Sequence, residues 1–141
     1  MNPLVLKAKK IATRAHSGQF RKDGVTPYIV HPAEVARCVA PDEKAQAAAW
    51  LHDVLEDTPT KEADLRKAGI PEDVIAAVKA LTKMDPKGDM GSYEKYILGI
   101  KANPLASKVK IADMLSNLAG DPSEAQKKRY ALGLNILGHK K

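Results

Sequence analysis

Cysteine is nearly absent, with Cys38 alone among 141 residues. No internal disulfide can form, and a four-cysteine structural zinc site is excluded. Cys38 falls in an amphipathic stretch and reads as a small core residue in a reducing compartment, so the expected location is cytoplasmic. Aromatic residues are scarce too, at 4%, too few for a surface that stacks single-stranded bases on several rings. No apolar run approaches the ~18 residues that a membrane span needs. The opening MNPLVLKAKKIATRAH places its charges after its apolar residues, the reverse of a secretory leader. No β-type alternation extends beyond Tyr28–Val30, and neither a repeat nor a linker is visible.

What is present is a globular composition, 44% hydrophobic and 28% charged, and a length suited to one domain over residues 1–141. Lys and Arg outnumber Asp and Glu by 23 to 17, giving a net charge of +6. That excess favours anionic partners, small polyphosphates as much as nucleic acids.

Nearly every segment reads as helix. Leu4, Ala8, Ile11, Ala12 and Ala15 recur at helical spacing over Leu4–His16. Gln19–Pro27 follows as a polar loop with an Asp-Gly turn signal. His31-Pro32 opens a second helix, where proline's missing N–H is harmless. Asp42 can cap a single helix over Glu43–Asp57, which Pro59 ends. Short helices over Lys61–Ala68, closed by Gly69, and Pro71–Thr82 come next. Lys83–Gly91 is a flexible loop. Ser92–Lys101, Leu105–Leu118 and Ser123–Leu137 complete the set, with Asp121–Glu124 resembling a capping box. Gly133 weakens the last helix by roughly 1 kcal/mol relative to alanine. The expected fold is an all-α, compact multi-helix bundle.

Three clusters place metal-type ligands on otherwise apolar helices. They are His31, then His52-Asp53 with Glu56-Asp57, then Asp113 with Asn117 beside a core face of Ile111, Met114, Leu115 and Leu118. On one continuous helix Glu56 lies a turn beyond His52 and Asp57 a turn beyond Asp53. Trp50, Leu51, Val54 and Leu55 would supply the buried surface beside them. Ionisable groups bordering a core cost free energy unless a cation pairs with them. The donors His31, His52, Asp53 and Asp113 suit Mn²⁺, Fe²⁺ or Zn²⁺. Each cluster alone also fits a solvated patch or a helix cap, and Asp113 could pair with Lys110. Their recurrence on three helices of a chain with four histidines favours a site. His16 reads as a capping or packing residue, Lys127-Lys128-Arg129 as the wet face of the last helix, and His139 as part of a disordered tail.

The stretches AHSGQFRKDGVTPYIVHPAEVA, AAWLHDVLEDT and KVKIADMLSNL together resemble the hydrolase domain of RelA/SpoT-type alarmone enzymes. The likeness is greatest to their stand-alone small alarmone hydrolases, the metazoan SpoT homologue type. It runs in order from about Ala8 to Leu118, after which the chain departs from the family pattern. The resemblance implies an HD-domain bundle with a metal site at its centre, usually Mn²⁺, held by His31, His52, Asp53 and Asp113. It implies that Glu56 and Asp57 orient and deprotonate the attacking water, and that Arg21, Lys22, Tyr28 and Asn117 line the nucleotide site. Tyr130 resembles a late tyrosine of the small hydrolases. The implied activity is release of pyrophosphate from the 3′ position of ppGpp or pppGpp, giving GDP or GTP. The implied partner is a small guanosine polyphosphate, with no nucleic acid and no membrane, and the length leaves no room for a synthetase domain. Another HD-domain nucleotide phosphohydrolase, such as a nucleotidase or NADPH phosphatase, is the alternative enzyme. A non-catalytic basic nucleotide-binding module is the alternative outside catalysis.

Overall fold

A computed structural model describes residues 2–83, 90–120 and 122–138. Its helices are α1 (Pro3–Ala15), α2 (Val30–Cys38), α3 (Glu43–Leu51), α4 (Val54–Asp57), α5 (Glu62–Lys67), α6 (Glu72–Leu81), α7 (Met90–Lys101), α8 (Pro104–Leu118) and α9 (Glu124–Ile136). Among the described residues the sole β-type pairing is one isolated bridge, Phe20 with Pro27. The all-α expectation holds. Most of the Lys83–Gly91 loop (residues 84–89), Asp121 and His139 lie outside the described residues.

Local chemistry sets most of the helix ends. Asn2 caps α1 by accepting from the Leu4 N–H at 2.8 Å, and Asp42 caps α3 through the Ala45 N–H at 3.0 Å. Asn103 does the same for α8 through Ala106. These oxygens satisfy amides that have no partner inside the helix. Gly69 follows α5 at φ +92°, a left-handed conformation that glycine adopts without a Cβ clash. The box at the start of α9 is Ser123 with Gln126, each side chain bonded to the other's backbone N–H.

α3 is the central element. Ala45, Ala47, Ala48, Ala49 and Leu51 are wholly buried along it, and α1, α2, α6 and α8 pack around it. Small side chains on nearly all its faces permit this close approach. Val5, Val35, Val54, Leu65, Ile75, Ile97 and Val109 fill the surrounding core.

Three expectations require correction. Glu43–Asp57 is not one helix: it breaks at His52-Asp53, between α3 and α4. The cause is local. The Ala49 carbonyl receives the His52 N–H at 3.4 Å and the His52 ring Nδ1 at 2.6 Å. A side chain thereby competes with the regular ladder, and Asp53 turns to φ −107°, ψ 0°. Cys38 is exposed rather than buried, because the last turn of α2 directs Ala36 and Val39 to the core instead. On α8 the inward face is Ala106, Val109, Ala112, Asp113 and Met114, while Leu115 is exposed. Asp113, held by His31, Lys110 and Asn117, takes an inward position on this face.

α9 is continuous through Gly133. A Cβ there would meet Tyr93 Oη at 2.9 Å and Met114 Sδ at 3.0 Å. Glycine thus lets α9 lie close against α7 and α8.

Candidate metal and phosphate site

His31, His52 and Asp113 come from α2, the α3–α4 break and α8. One ligand atom from each lies within 4.8 Å of the others, and all three residues are buried. His31 Nε2 stands 2.7 Å from Asp113 Oδ1. His52 Nε2 stands 3.3 Å from the same oxygen and 3.1 Å from Asp53 Oδ2. The two imidazoles meet edge to face, with centroids 5.2 Å apart.

The break at His52 dictates its chemistry. With Nδ1–H given to the Ala49 carbonyl, the other ring nitrogen presents a lone pair to two carboxylates. Buried Nε2 has no well-aligned hydrogen-bond partner among the described residues, and neither does His31 Nδ1. Two acceptors facing a lone pair need a cation between them. Burial opposes a charged His52 ring, yet the Asp53 and Asp113 carboxylates outweigh it and hold its pKa well above the ordinary value. The pocket demands positive charge at Nε2, which a proton or a metal ion can supply. Imidazole nitrogen with carboxylate oxygen is a suitable donor set for a divalent transition metal, so the residues present fit such an ion.

Asp113 is held from several sides. Lys110 Nζ lies 3.1 Å from its Oδ2, and Asn117 Nδ2 donates to its Oδ1 at 3.3 Å. Burial would raise its pKa, but Lys110, His31 and His52 keep it well below the usual carboxylate range. Asp53 receives the Tyr28 hydroxyl. Against its burial, His52 and that hydroxyl hold its pKa at about 2. Tyr28 itself is pushed up by burial and by Asp53. Asp53 stands beside the three-residue cluster rather than within it.

Glu56 and Asp57, on α4, sit at the mouth. Shielding from water raises both pKa values, and the Asp53 carboxylate adds to the effect. Glu56 Oε1 accepts the Lys83 N–H at 2.6 Å. Asp57 is steadied from behind, because Gln19 Nε2 donates to its carbonyl at 2.8 Å and the Gln19 side-chain oxygen pairs with His16 Nδ1 at 2.8 Å. His16 is buried against Tyr28, 4.9 Å between ring centroids. It packs as expected, and it also braces the site.

A cleft of about 720 Å³ opens over this floor, within the size range of small-molecule sites. Arg21, Lys22, Tyr28 and Asn117 line it together with His31, Asp53, Glu56, Asp57 and Asp113. Every candidate residue from the sequence except His52 reaches this cleft, and His52 faces a smaller adjoining chamber. Sequence reasoning offered the Lys110–Asp113 pair as an alternative to a site, and both occur together here; it missed Gln19, Gln126 and the aromatic pair Tyr93 and Tyr96. It also set Arg129 aside as solvated, whereas Arg129 lines the chamber.

The Arg21–Lys22 loop is a compact turn. Asp23 Oδ1 accepts the Val25 and Thr26 N–H groups, both at 2.8 Å, and Arg21 N–H donates to the Thr26 carbonyl at 2.8 Å. Gly24 takes φ +72°. The Thr26 hydroxyl and those amides hold the Asp23 pKa at about 2.

A helical bundle with a histidine–aspartate cluster at the junction of α2, α3 and α8 defines a class. A model of the HD domain matches residues 8–131, and the chain belongs to the HD-domain family. HD-domain hydrolases bind a divalent metal, and the His31–His52–Asp113 group is able to hold one.

Among curated proteins, the chain is similar to the guanosine-3′,5′-bis(diphosphate) 3′-pyrophosphohydrolases of Haemophilus influenzae and Aquifex aeolicus. Identity is 36% over 118 residues for the first, covering 77% of this chain and 17% of that protein. For the second it is 34% over 121 residues, covering 81% and 17%. The chain therefore matches about a sixth of the length of these relatives. Among solved structures, a metazoan ortholog of SpoT that hydrolyses ppGpp superposes with a TM-score of 0.83. It is 24% identical, with 98% of this chain and 87% of that one covered, a shared fold. Among the described residues no helix is long and apolar enough to cross a membrane.

Proposed function

We propose that residues 1–141 act as one cytoplasmic hydrolase domain that releases pyrophosphate from the 3′ position of ppGpp or pppGpp with Mn²⁺ as cofactor. The observation that carries this reading is the placement of the basic loop. Arg21 and Lys22 share one cleft with a buried histidine–carboxylate cluster that demands a cation. The names of the curated relatives support the substrate. The exposed free thiol of Cys38 is consistent with a reducing compartment.

In this reading His31, His52, Asp53 and Asp113 hold the ion, which when bound supplies Lewis acidity toward the phosphate. Tyr28 and Lys110 fix the carboxylates of Asp53 and Asp113. Glu56 and Asp57 orient a water and take its proton, a role their raised pKa values suit. A bond forms from the water oxygen to the phosphorus on the 3′ oxygen. The bond from that phosphorus to the 3′ oxygen breaks, and its electron pair leaves on the oxygen, which takes up a proton. Arg21 and Lys22 bind phosphate by charge-assisted hydrogen bonds, with Asn117 beside them.

Product analysis of ppGpp incubated with the Mn²⁺-loaded protein tests the proposal. GDP and pyrophosphate are expected. Orthophosphate as the product, or turnover of NADPH but not ppGpp, would sink it.

A further inference from the structure

Beside the main cleft lies a second chamber of about 150 Å³, and the two meet at Asp53, Glu56, Lys110 and Tyr130. Its walls differ in kind from those of the cleft. Lys83 Nζ stands 5.7 Å above the Tyr93 ring and Lys110 Nζ 5.4 Å above the Tyr96 ring, each held by cation–π attraction. Arg129 closes the chamber from α9. Lys110 is matched by Asp113, but Lys83 and Arg129 have no carboxylate ion pair among the described residues. Three cationic side chains, Lys83, Lys110 and Arg129, thus face the chamber, with the Asp53 and Glu56 carboxylates at its junction with the cleft, in a space too small for a nucleoside.

We propose that this chamber is an anion subsite that receives the distal phosphate of a diphosphate whose inner phosphorus sits at the His31–His52–Asp113 cluster. The inference rests on the phosphohydrolase reading above and adds the division of the substrate. The nucleoside lies in the larger cleft, the scissile phosphorus at its floor, and the terminal phosphate among Lys83, Lys110 and Arg129. Such a site selects a diphosphate over a monophosphate, because a single phosphate at the cluster does not extend to Lys83 and Arg129.

Two measurements test this, one without turnover. In calorimetry with Mn²⁺ in matched excess in cell and syringe, methylenediphosphonate should bind the parent at least about tenfold more tightly than orthophosphate. Arg129→Gln and Lys83→Gln should each remove most of that preference, about a tenfold loss for a charged contact. Lys127→Ala, paired outside with Glu124, should keep it. In kinetics the parent should prefer a guanosine 3′-diphosphate to the 3′-monophosphate, and Arg129→Gln should lose more on the former. Equal binding of the two anions, or both variants matching the parent, overturns the subsite even if ppGpp is hydrolysed. If ppGpp is not hydrolysed but the diphosphonate preference exists and both variants lose it, the alarmone reading fails while the subsite stands.

Discussion

The buried cluster and the Gln19–Pro27 loop face the same cleft and are held in opposite ways. His31, His52 and Asp113 come from three helices, so long-range packing sets their positions. Asp113 alone has His31, Lys110 and Asn117 against its two oxygens. Arg21 and Lys22 are placed by a turn that Asp23, Gly24 and Thr26 close among themselves. Substitution in the first region should strike assembly of the site and chemistry together, whereas in the second it should strike binding. In the proposed reaction the cluster needs fixed geometry, while a loop proposed to bind the substrate can be built locally.

The severest break in this contrast is His52→Ala. It removes the ring that ends α3 and the lone pair facing both carboxylates, so metal binding and turnover should both vanish while most helicity remains. Metal analysis and circular dichroism check this, and near-parental hydrolysis of ppGpp with Mn²⁺ would refute it. Glu56→Gln separates holding from activating. Metal and substrate should still bind, but kcat should fall by roughly 10²–10⁴-fold, the usual worth of a positioned general base. An empty site in that variant would make Glu56 a ligand.

Arg21→Ala tests the other side. Loss of one charge-assisted contact should lower kcat/KM by about 10–100-fold, mainly through KM. Lys127→Ala should change little, and added salt should weaken ppGpp binding more in the parent than in Arg21→Ala. A change within twofold would remove the loop from recognition. The mildest test is Asp23→Ala, which removes the acceptor of the turn's amides at the edge of the cleft. Val25 and Thr26 amides should exchange faster and KM should rise by roughly 2–10-fold. The pH dependence follows in sign. A folded pKa of about 2 against an ordinary 3.8 means that the turn is supported above pH 4. That support should be lost as pH falls toward 2, while Asp23→Ala shows no such loss.

The cluster of His31, His52 and Asp113 was legible because histidine and aspartate among alanine and leucine are costly without a purpose. The loop was legible from its Asp-Gly turn chemistry. The break at His52 was not, since nothing in HDVLED reveals that a ring nitrogen will compete for the Ala49 carbonyl. Lys83, Tyr93, Tyr96 and Arg129 were missed for another reason. They are distant in sequence and ordinary in type, and packing of α7 and α9 brings them to one chamber. Leu115 was misplaced because apolar periodicity does not register that Asp113 takes an inward position on α8, and Cys38 because Ala36 and Val39 take the core positions at the end of α2.

Gly133 gives this architecture an unusual lever on specificity. It lies three and four residues after Tyr130 and Arg129, on the same side of α9, where an added Cβ would press on the Tyr93 hydroxyl at 2.9 Å and the Met114 sulfur at 3.0 Å. A larger residue would press the Tyr93 side chain, a wall of the smaller chamber, out of its present place. The shape of the smaller chamber would change although no charged group had changed. Substrate range in such a bundle can therefore drift through one position that never meets the substrate, and comparison of polar residues alone would miss the change.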